Sequence, residues 1–450
     1  MLDDLTEREL ALVDAAHGGT VLECSDHGVD VLASSTDPGL RVRAAVVREL
    51  LLGRCGGVDP RGVRIRGARI VGALDLEHVT AVARLVLIEC VLDRVNLSRT
   101  VLPQLVLTGS RAAAINADGI QVDGDLLLSQ TRISGTGAMG ALCLPNARIT
   151  GILDLQEAEV SNDSGPALHA TSLHADGVIL RQARMTGTGD RGTIRMSDAH
   201  VRGVLNMDGA QVRNHSGPAL HADRLRVDSL LFLREVRLTG HGDRGTARLQ
   251  GARVGGAVNL QSAELRNDSG AALDAADLEV GGTLCLERMR VSGTGKSGAI
   301  CLASARLGDS LYLVDTTVDN ESGPALHADS LHTEDTIVLL ETRLSGTSDG
   351  GTIWLLGAHV GGLRWSARKP PTTSAPRCSP ISCRSGDTHT SSRYGCQVPE
   401  CTPPSAWPSP ASAASSRSPV RRSATRPGAC GPARHRCGRR RPRLRRCHLS

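Results

Sequence analysis

Residues 193–245 read TIRMSDAHVRG, VLNMDGAQVRNHSG, PALHADRLRVD and SLLFLREVRLTGHGDRG, four pieces of 11, 14, 11 and 17 residues that share one template. Apolar residues fall at i, i+2, i+5 and i+7: Ile194, Met196, Ala199 and Val201 in the first piece, Leu205, Met207, Ala210 and Val212 in the second. Side chains alternate along an extended chain, so a step of two puts both members of a pair on one face of a short strand. The step of three is a bend that turns the next pair back toward the same interior. No helical period of 3.6 accommodates this pattern.

The stretch is one copy of a longer repeat. SGPALHA occurs at 164–170, 216–222 and 322–328, and SGAALDA fills the same slot at 269–275, so Ser164, Ser216, Ser269 and Ser322 stand 52, 53 and 53 residues apart. A second marker, A-[R/H]-[V/I/L], places Ala147, Ala199, Ala252, Ala305 and Ala358 at intervals of 52, 53, 53 and 53. Two pieces make one coil, so the 53-residue unit is a double coil and residues 61–362 hold about 11 coils at strand spacings near 4.8 Å. The fold expected is mainly β, a right-handed parallel β-helix (solenoid), because parallel crossovers wind right-handed. Each coil would depend on its neighbours for hydrogen bonds and for burial of its apolar pairs.

Composition agrees with a narrow core. The 450 residues include 50 glycines and only six aromatic residues, Phe232, Tyr312, Tyr394, Trp354, Trp365 and Trp407. A thick globular interior uses more aromatic volume than that. The net charge of +5 conceals two regions: residues 366–450 carry 17 Lys+Arg against Asp387 and Glu400, or +15, which leaves −10 for residues 1–365. The same tail holds 13 of the 20 prolines and seven of the 13 cysteines. Scattered cysteines in odd number fit reduced thiols in a cytoplasmic protein better than a disulfide framework. No basic–apolar leader opens the chain, and no run of about 18 apolar residues spans a bilayer.

Residues 1–60 read as a helical N-terminal cap. Thr6 and Glu9 form a capping-box pattern ahead of Leu10, Leu12 and Val13, with Gly18 as the stop. A second helix is expected from about Gly39 to Leu52, with Val42, Val46 and Leu50 on one face. Helices here would cover the open edge of the first coil, with a separate binding module as the alternative role. At the other end the template breaks after Gly362, and residues 363–450 are expected to be a disordered, basic, Arg/Pro/Ser/Cys-rich tail. Two origins account for it: out-of-frame translation of a GC-rich gene, or a genuine arm that binds nucleic acid or anionic lipid.

Several motifs carry chemistry elsewhere. GxGxxG recurs at 135–140, 187–192, 240–245 and 293–298, but each copy leads into another short strand, where a dinucleotide fingerprint leads into a helix. Four copies at the repeat period read as turns. Gly295-Lys296-Ser297 imitates the end of a phosphate-binding loop, yet Arg290 occupies the position that needs glycine. His169, His221 and His327 share a column that points outward, in which equivalent positions are two coils or about 10 Å apart, which is too far to chelate one ion and reads as a solvated ladder. Asn162, Asn214, Asn267 and Asn320 each head an N-x-S triplet before Gly, a turn signal at one coil corner. Cys143 and Cys301 lie six coils apart in the column of Arg195 and Arg248, beyond disulfide reach. In the tail, Cys378, Cys383, Cys396 and Cys401 have C-x4-C spacing, a weak match to zinc sites. No catalytic, cofactor-binding or metal-ligating residue is assigned, and no cofactor is expected.

The A-x-[V/I/L] steps Ala68-Arg69-Ile70, Ala147-Arg148-Ile149 and Ala210-Gln211-Val212 give the chain a resemblance to degenerate pentapeptide-repeat and related right-handed β-helix proteins. GARIVGALDL (67–76), NARITGILDL (146–155) and GARVGGAVNL (251–260) resemble repeat proteins of high-GC bacteria commonly labelled membrane-associated oxidoreductases. The first resemblance implies, for some members, DNA mimicry against topoisomerases; the second implies redox activity and membrane association. Against the acidic body stands a basic column, Arg148, His200, Arg253, Arg306 and His359. The residues themselves point to a non-catalytic scaffold or protein-interaction surface of unknown partner, with nucleic acid a partner only if the basic tail is genuine. The expected location is cytoplasmic, with membrane association where the second resemblance holds.

Overall fold

A computed structural model describes residues 4–367. Each apolar pair of the template lies on or beside a short strand, and that strand pairs in parallel with the same position one coil later. The coil that begins at Leu205 shows the four faces: Leu205–Asn206, Gln211–Asn214, Leu220–His221 and Arg226–Val227. We call them the first to fourth faces. On the first face the partners run Val63, Leu85, Leu105, Leu126, Leu153, Val178, Leu205, Leu231, Val258, Leu284, Leu311, Ile337 and Leu363. That is a parallel β-solenoid of about 13 turns.

The bend of three has a defined geometry. Ala199 N–H donates to Met196 O at 3.2 Å, and Ala210 N–H to Met207 O at 3.0 Å. The third residue of each turn, Asp198 or Gly209, has φ +57° or +67°, as a type II turn requires. The same two corners recur in coil after coil, so polar residues and glycine occupy them and the apolar pairs stay inside. Leu205, Met207, Ala210, Val212, Leu220, Ala222, Leu225 and Val227 are all 2% exposed or less, in one continuous core.

The count of 13 turns, against about 11 from the repeat arithmetic, has a local cause. The first coils are shorter: Val63, Leu85, Leu105 and Leu126 are 22, 20 and 21 residues apart, and later steps are 25 to 27. The extra residues enter at two corners only. Leu92 to Val95 is a step of three, whereas Val212 to Leu220 is eight and Leu238 to Ala247 is nine. Leu102 to Leu105 is three, whereas Val201 to Leu205 is four. The five-residue insertion carries N-x-S-G and the six-residue insertion carries GxGxxG. Their alternation makes the 53-residue period, while the core itself repeats every coil.

These inserted loops stack on one another. Asn214, fully buried, donates from Nδ2 to Gly189 O at 3.1 Å and accepts at Oδ1 from the N–H groups of Ser216 and Gly217 at 2.9 and 2.8 Å. Asn162, Asn267 and Asn320 are buried and tied to the loop below in the same way. The turn reading therefore holds, and the amides are occupied inside the corner. At the corner between the fourth and first faces, a Cβ on Gly281 would overlap the carbonyl oxygen of Gly255, and one on Gly308 that of Gly281. Glycine there is a matter of close backbone approach.

The first 60 residues are more than helices. Leu22–Glu23 pairs with Ile65–Arg66, and Arg41–Arg43 with Arg69–Val71, so two strands precede the first repeated coil. The helices are α1 (Glu7–Gly18), α2 (Val29–Ser34) and α3 (Ala44–Leu51). Val42, Val46 and Leu50 are buried as expected, but Val42 lies on a strand. Pairing with the next coil outweighs helix extension at that point. Leu12, Ala16, Val46, Val47, Leu50 and Leu51 join the core that continues through the solenoid. At the far end the register runs past Gly362: Leu363 pairs with Ile337 and Trp365 with Leu339, and the strand ends at Ala367. The expectation of a disordered tail concerns residues that, from 368 on, lie outside the described ones. No helix of the described residues is long and apolar enough to cross a membrane.

The capping box forms as expected, with Thr6 N–H donating to Glu9 Oε2 at 3.0 Å and Glu9 N–H to Thr6 Oγ1 at 3.3 Å. Glu9 also accepts from the Arg43 side chain at 2.7 and 2.6 Å and from the Arg43 backbone at 3.0 Å. Burial alone would raise this carboxyl; the hydrogen bonds from Arg43 and Thr6 and the Arg43 charge bring it from 4.5 down to about 2. A lowered carboxyl pKa contributes stability that is complete above the unfolded value and lost as pH falls toward the folded one. Urea unfolding should therefore show stability falling between about pH 4.5 and 2, by at most about 3 kcal/mol from this group. Glu9→Gln should be less stable at pH 7 and lose that part of the pH dependence.

Candidate functional site

The side of the solenoid offers three chemically distinct surfaces, each a column repeated at the coil rise. The second face carries a groove of about 930 Å³. Its central row runs Arg132, Glu159, Arg184, Gln211, Arg237, Glu264, Arg290, one residue per coil. The adjacent corner row contributes Gln130, Glu157, Gln182, Glu235 and Arg288. Glu159 is held by Arg132 at 3.6 Å and Arg184 at 3.0 Å, and Glu264 lies 3.7 Å from Arg237. At the N-terminal end Asp30 of α2 takes Arg132 at 2.8 Å and Arg111 at 3.4 Å. These are exposed pairs, each worth little, on a backbone whose register fixes where every charge sits.

The third face carries Cys143, His169, Arg195, His221, Arg248, Asp274, Cys301, His327 and Trp354 in successive coils. Here the histidines are not a solvated ladder. The GxGxxG loops fold over the column, and the Nδ1–H groups of His169, His221 and His327 donate to Met139 O, Arg191 O and Ser297 O at 3.1, 3.0 and 3.1 Å. His221 and His327 side chains are each only 18% exposed. Six-residue insertions are long enough to reach back across the face, a consequence of loop length that periodicity alone does not reveal. The loops' own amides are partly spent on neighbouring loops: Gly189 N–H donates to Ser216 Oγ at 2.7 Å and Gly242 N–H to Ser269 Oγ at 2.9 Å. Each loop opens into a strand, as expected.

Two contacts on this face escaped the sequence reading. Cys143 Sγ lies 4.0 Å from His169 Nδ1, and Cys301 Sγ 3.8 Å from His327 Nδ1. The spacing of 26 residues, one coil, was the available signal. His327 Nε2 further meets Asp329 Oδ2 at 3.2 Å, which completes a thiol–imidazole–carboxylate series. It is not built as a nucleophile. Nδ1 already carries the proton that Ser297 O accepts, so it has no lone pair for the thiol proton. Burial raises the Cys301 thiol, where an attacking cysteine needs the opposite. Between these pairs, His221 and Arg248 close on Asp223 at 3.0 and 2.7 Å. Burial works against the Asp223 charge, but those two hydrogen bonds lower its pKa on balance.

The fourth face completes the basic column: Arg148, His174, His200, Arg226, Arg253, Glu279, Arg306, His332 and His359. The 53-residue period marks only every second member, because it spans two coils. Arg226 is held on Asp228 at 2.9 Å and Arg253 on Glu279 at 2.9 Å. Among the described residues no group of three or more His, Cys, Asp or Glu side chains is placed to hold a metal ion.

The thiols give this surface a direct check. Cys90 and Cys143 are free thiols. Burial pushes Cys90 up to about 12 and Cys143 up to about 11. In native protein at pH 8, iodoacetamide should label both at least about a hundredfold more slowly than an exposed cysteine, and at the ordinary rate in urea, as read by peptide mass spectrometry. Comparison of the chain with protein-family models, with curated proteins and with solved structures finds no match in any of the three.

Proposed function

We propose that the chain is a non-catalytic scaffold that holds an extended, acidic protein segment along the groove of its second face. The observation that carries this reading is the row of arginines at two-coil intervals, Arg132, Arg184, Arg237 and Arg290, set in one groove. Two coils rise about 9.6 Å, and one three-residue turn of a peptide in the extended polyproline-II conformation rises about 9.3 Å and returns every third side chain to the same face, so acidic groups at every third residue of a partner meet successive arginines. Glu159 and Glu264 between them favour a ligand with unlike groups at the intervening positions and disfavour a uniform polyanion.

The other readings gain less support. An oxidoreductase, as the high-GC repeat proteins are labelled, would need a cofactor site, and the four GxGxxG loops lead into strands and are bonded to the N-x-S-G loops of neighbouring coils. DNA mimicry needs a continuous acidic surface, and both the second and fourth faces are lined with arginine. Membrane association, nucleic-acid binding by the tail and a cytoplasmic location remain expectations from the sequence.

A dye-labelled peptide (Asp-Ser-Gly)4 tests the groove by fluorescence anisotropy, against a peptide with the same four Asp clustered at one end. The spaced peptide should bind more tightly, and the difference should vanish at high salt. Each exposed ion pair contributes about 0.2–1 kcal/mol, so Arg184→Glu/Arg237→Glu should weaken it about tenfold. Equal binding of the two peptides, or no effect of the double substitution, would overturn the assignment.

A further inference from the structure

His174 and His200 occupy adjacent rungs of the fourth face, directly paired across the strands. Their ring centres lie 6.0 Å apart with the planes at 68°. His174 Nδ1 is 3.1 Å from Ser172 O, a carbonyl that can only accept, so Nδ1 carries the proton and Nε2 keeps its lone pair. His200 Nε2 is 2.8 Å from Asp228 Oδ2, so Nε2–H donates there and Nδ1 keeps its lone pair. Neither lone pair has a hydrogen-bond partner among the described residues. Each ring is thus held by one nitrogen against an oxygen and leaves the other free. This is how metal-binding histidines are oriented from behind by a carboxylate or a backbone carbonyl.

We propose that His174 and His200 form a two-imidazole site for a borderline divalent transition-metal ion, with water completing its coordination. A metal–imidazole bond is about 2 Å, so two nitrogens sharing an ion stand about 3–4 Å apart, a separation compatible with rings whose centres lie 6.0 Å apart. Imidazole nitrogens select zinc, nickel or copper over calcium or magnesium. Of the flanking cations, Arg226 is neutralised by Asp228 at 2.9 Å and Arg202 by Asp176, while Arg148 lies one rung below His174. His332 and His359 form a second adjacent-rung pair, with ring centres 6.1 Å apart, but among the described residues no carbonyl or carboxylate holds either ring. That pair is the internal control: same face, same spacing, no orienting oxygens.

The test titrates Cu2+ into the full chain after its accessible thiols have been alkylated, with affinity read by chelator competition and ligation by electron paramagnetic resonance. A binding class with nitrogen coupling is expected. His174→Asn or His200→Asn should remove it, and Asp228→Asn should weaken it about tenfold, the lower end for loss of an orienting group. His332→Asn should leave it unchanged, with far-ultraviolet circular dichroism showing that all variants fold. If the strongest class survives both His174→Asn and His200→Asn, or depends equally on His332, the assignment is wrong.

Discussion

The whole molecule rests on one constraint: every strand finds its hydrogen-bond partners only in the coil before and the coil after. Strands of two to four residues have no stability of their own, and a coil alone buries nothing. Stacking solves both problems together, because parallel register puts each inward pair directly over the last. Leu205 over Val178 and under Leu231 is the unit of cohesion, and the same relation holds along the first face from Val63 to Leu363. Since large side chains would not fit so narrow an interior, the core uses Leu, Val, Ile, Met and Ala, and the aromatic residues are few.

That constraint also decides where the chain is free to vary. An extra residue inside a strand would reverse the facing of every side chain after it. Extra residues at a corner cost only loop closure, and they are found at two corners of four. The alternating insertions between the second and third faces therefore do two things. They generate the 53-residue period, and they cover the third face while leaving the second and fourth open to solvent. Chemistry that a flat column would display, such as the cysteine–histidine pairs, ends beneath loops; the arginine groove and the histidine pair of the fourth face stay accessible.

This explains what could be read in the sequence and what could not. The inward positions were legible because burial imposes a strict i, i+2 rhythm, and the Thr6–Glu9 cap because both of its bonds are local. The turn role of the four asparagines was legible for the same reason. The number of coils was not, because the first coils lack the insertions on which the repeat was measured. The strand at Arg41–Arg43 was missed because Val42, Val46 and Leu50 fit a helix face equally well, and only pairing with Arg69–Val71 separates the two. Neighbours one coil apart, Cys301 with His327 and His174 with His200, were hidden by following the double coil. A 53-residue ruler sees every second rung.

Successive coils rise by one strand spacing in unbroken register along the body, and that rise is directly measurable. Nitroxide labels at Arg148 and Arg253 lie four rungs apart on the fourth face, and labels at Arg148 and Arg306 six. Pulsed electron–electron resonance should give narrow distributions whose centres differ by about 10 Å, near 19 and 29 Å before the label arms are allowed for. Equal distances, or broad distributions for both pairs, would contradict the solenoid and every surface assigned on it.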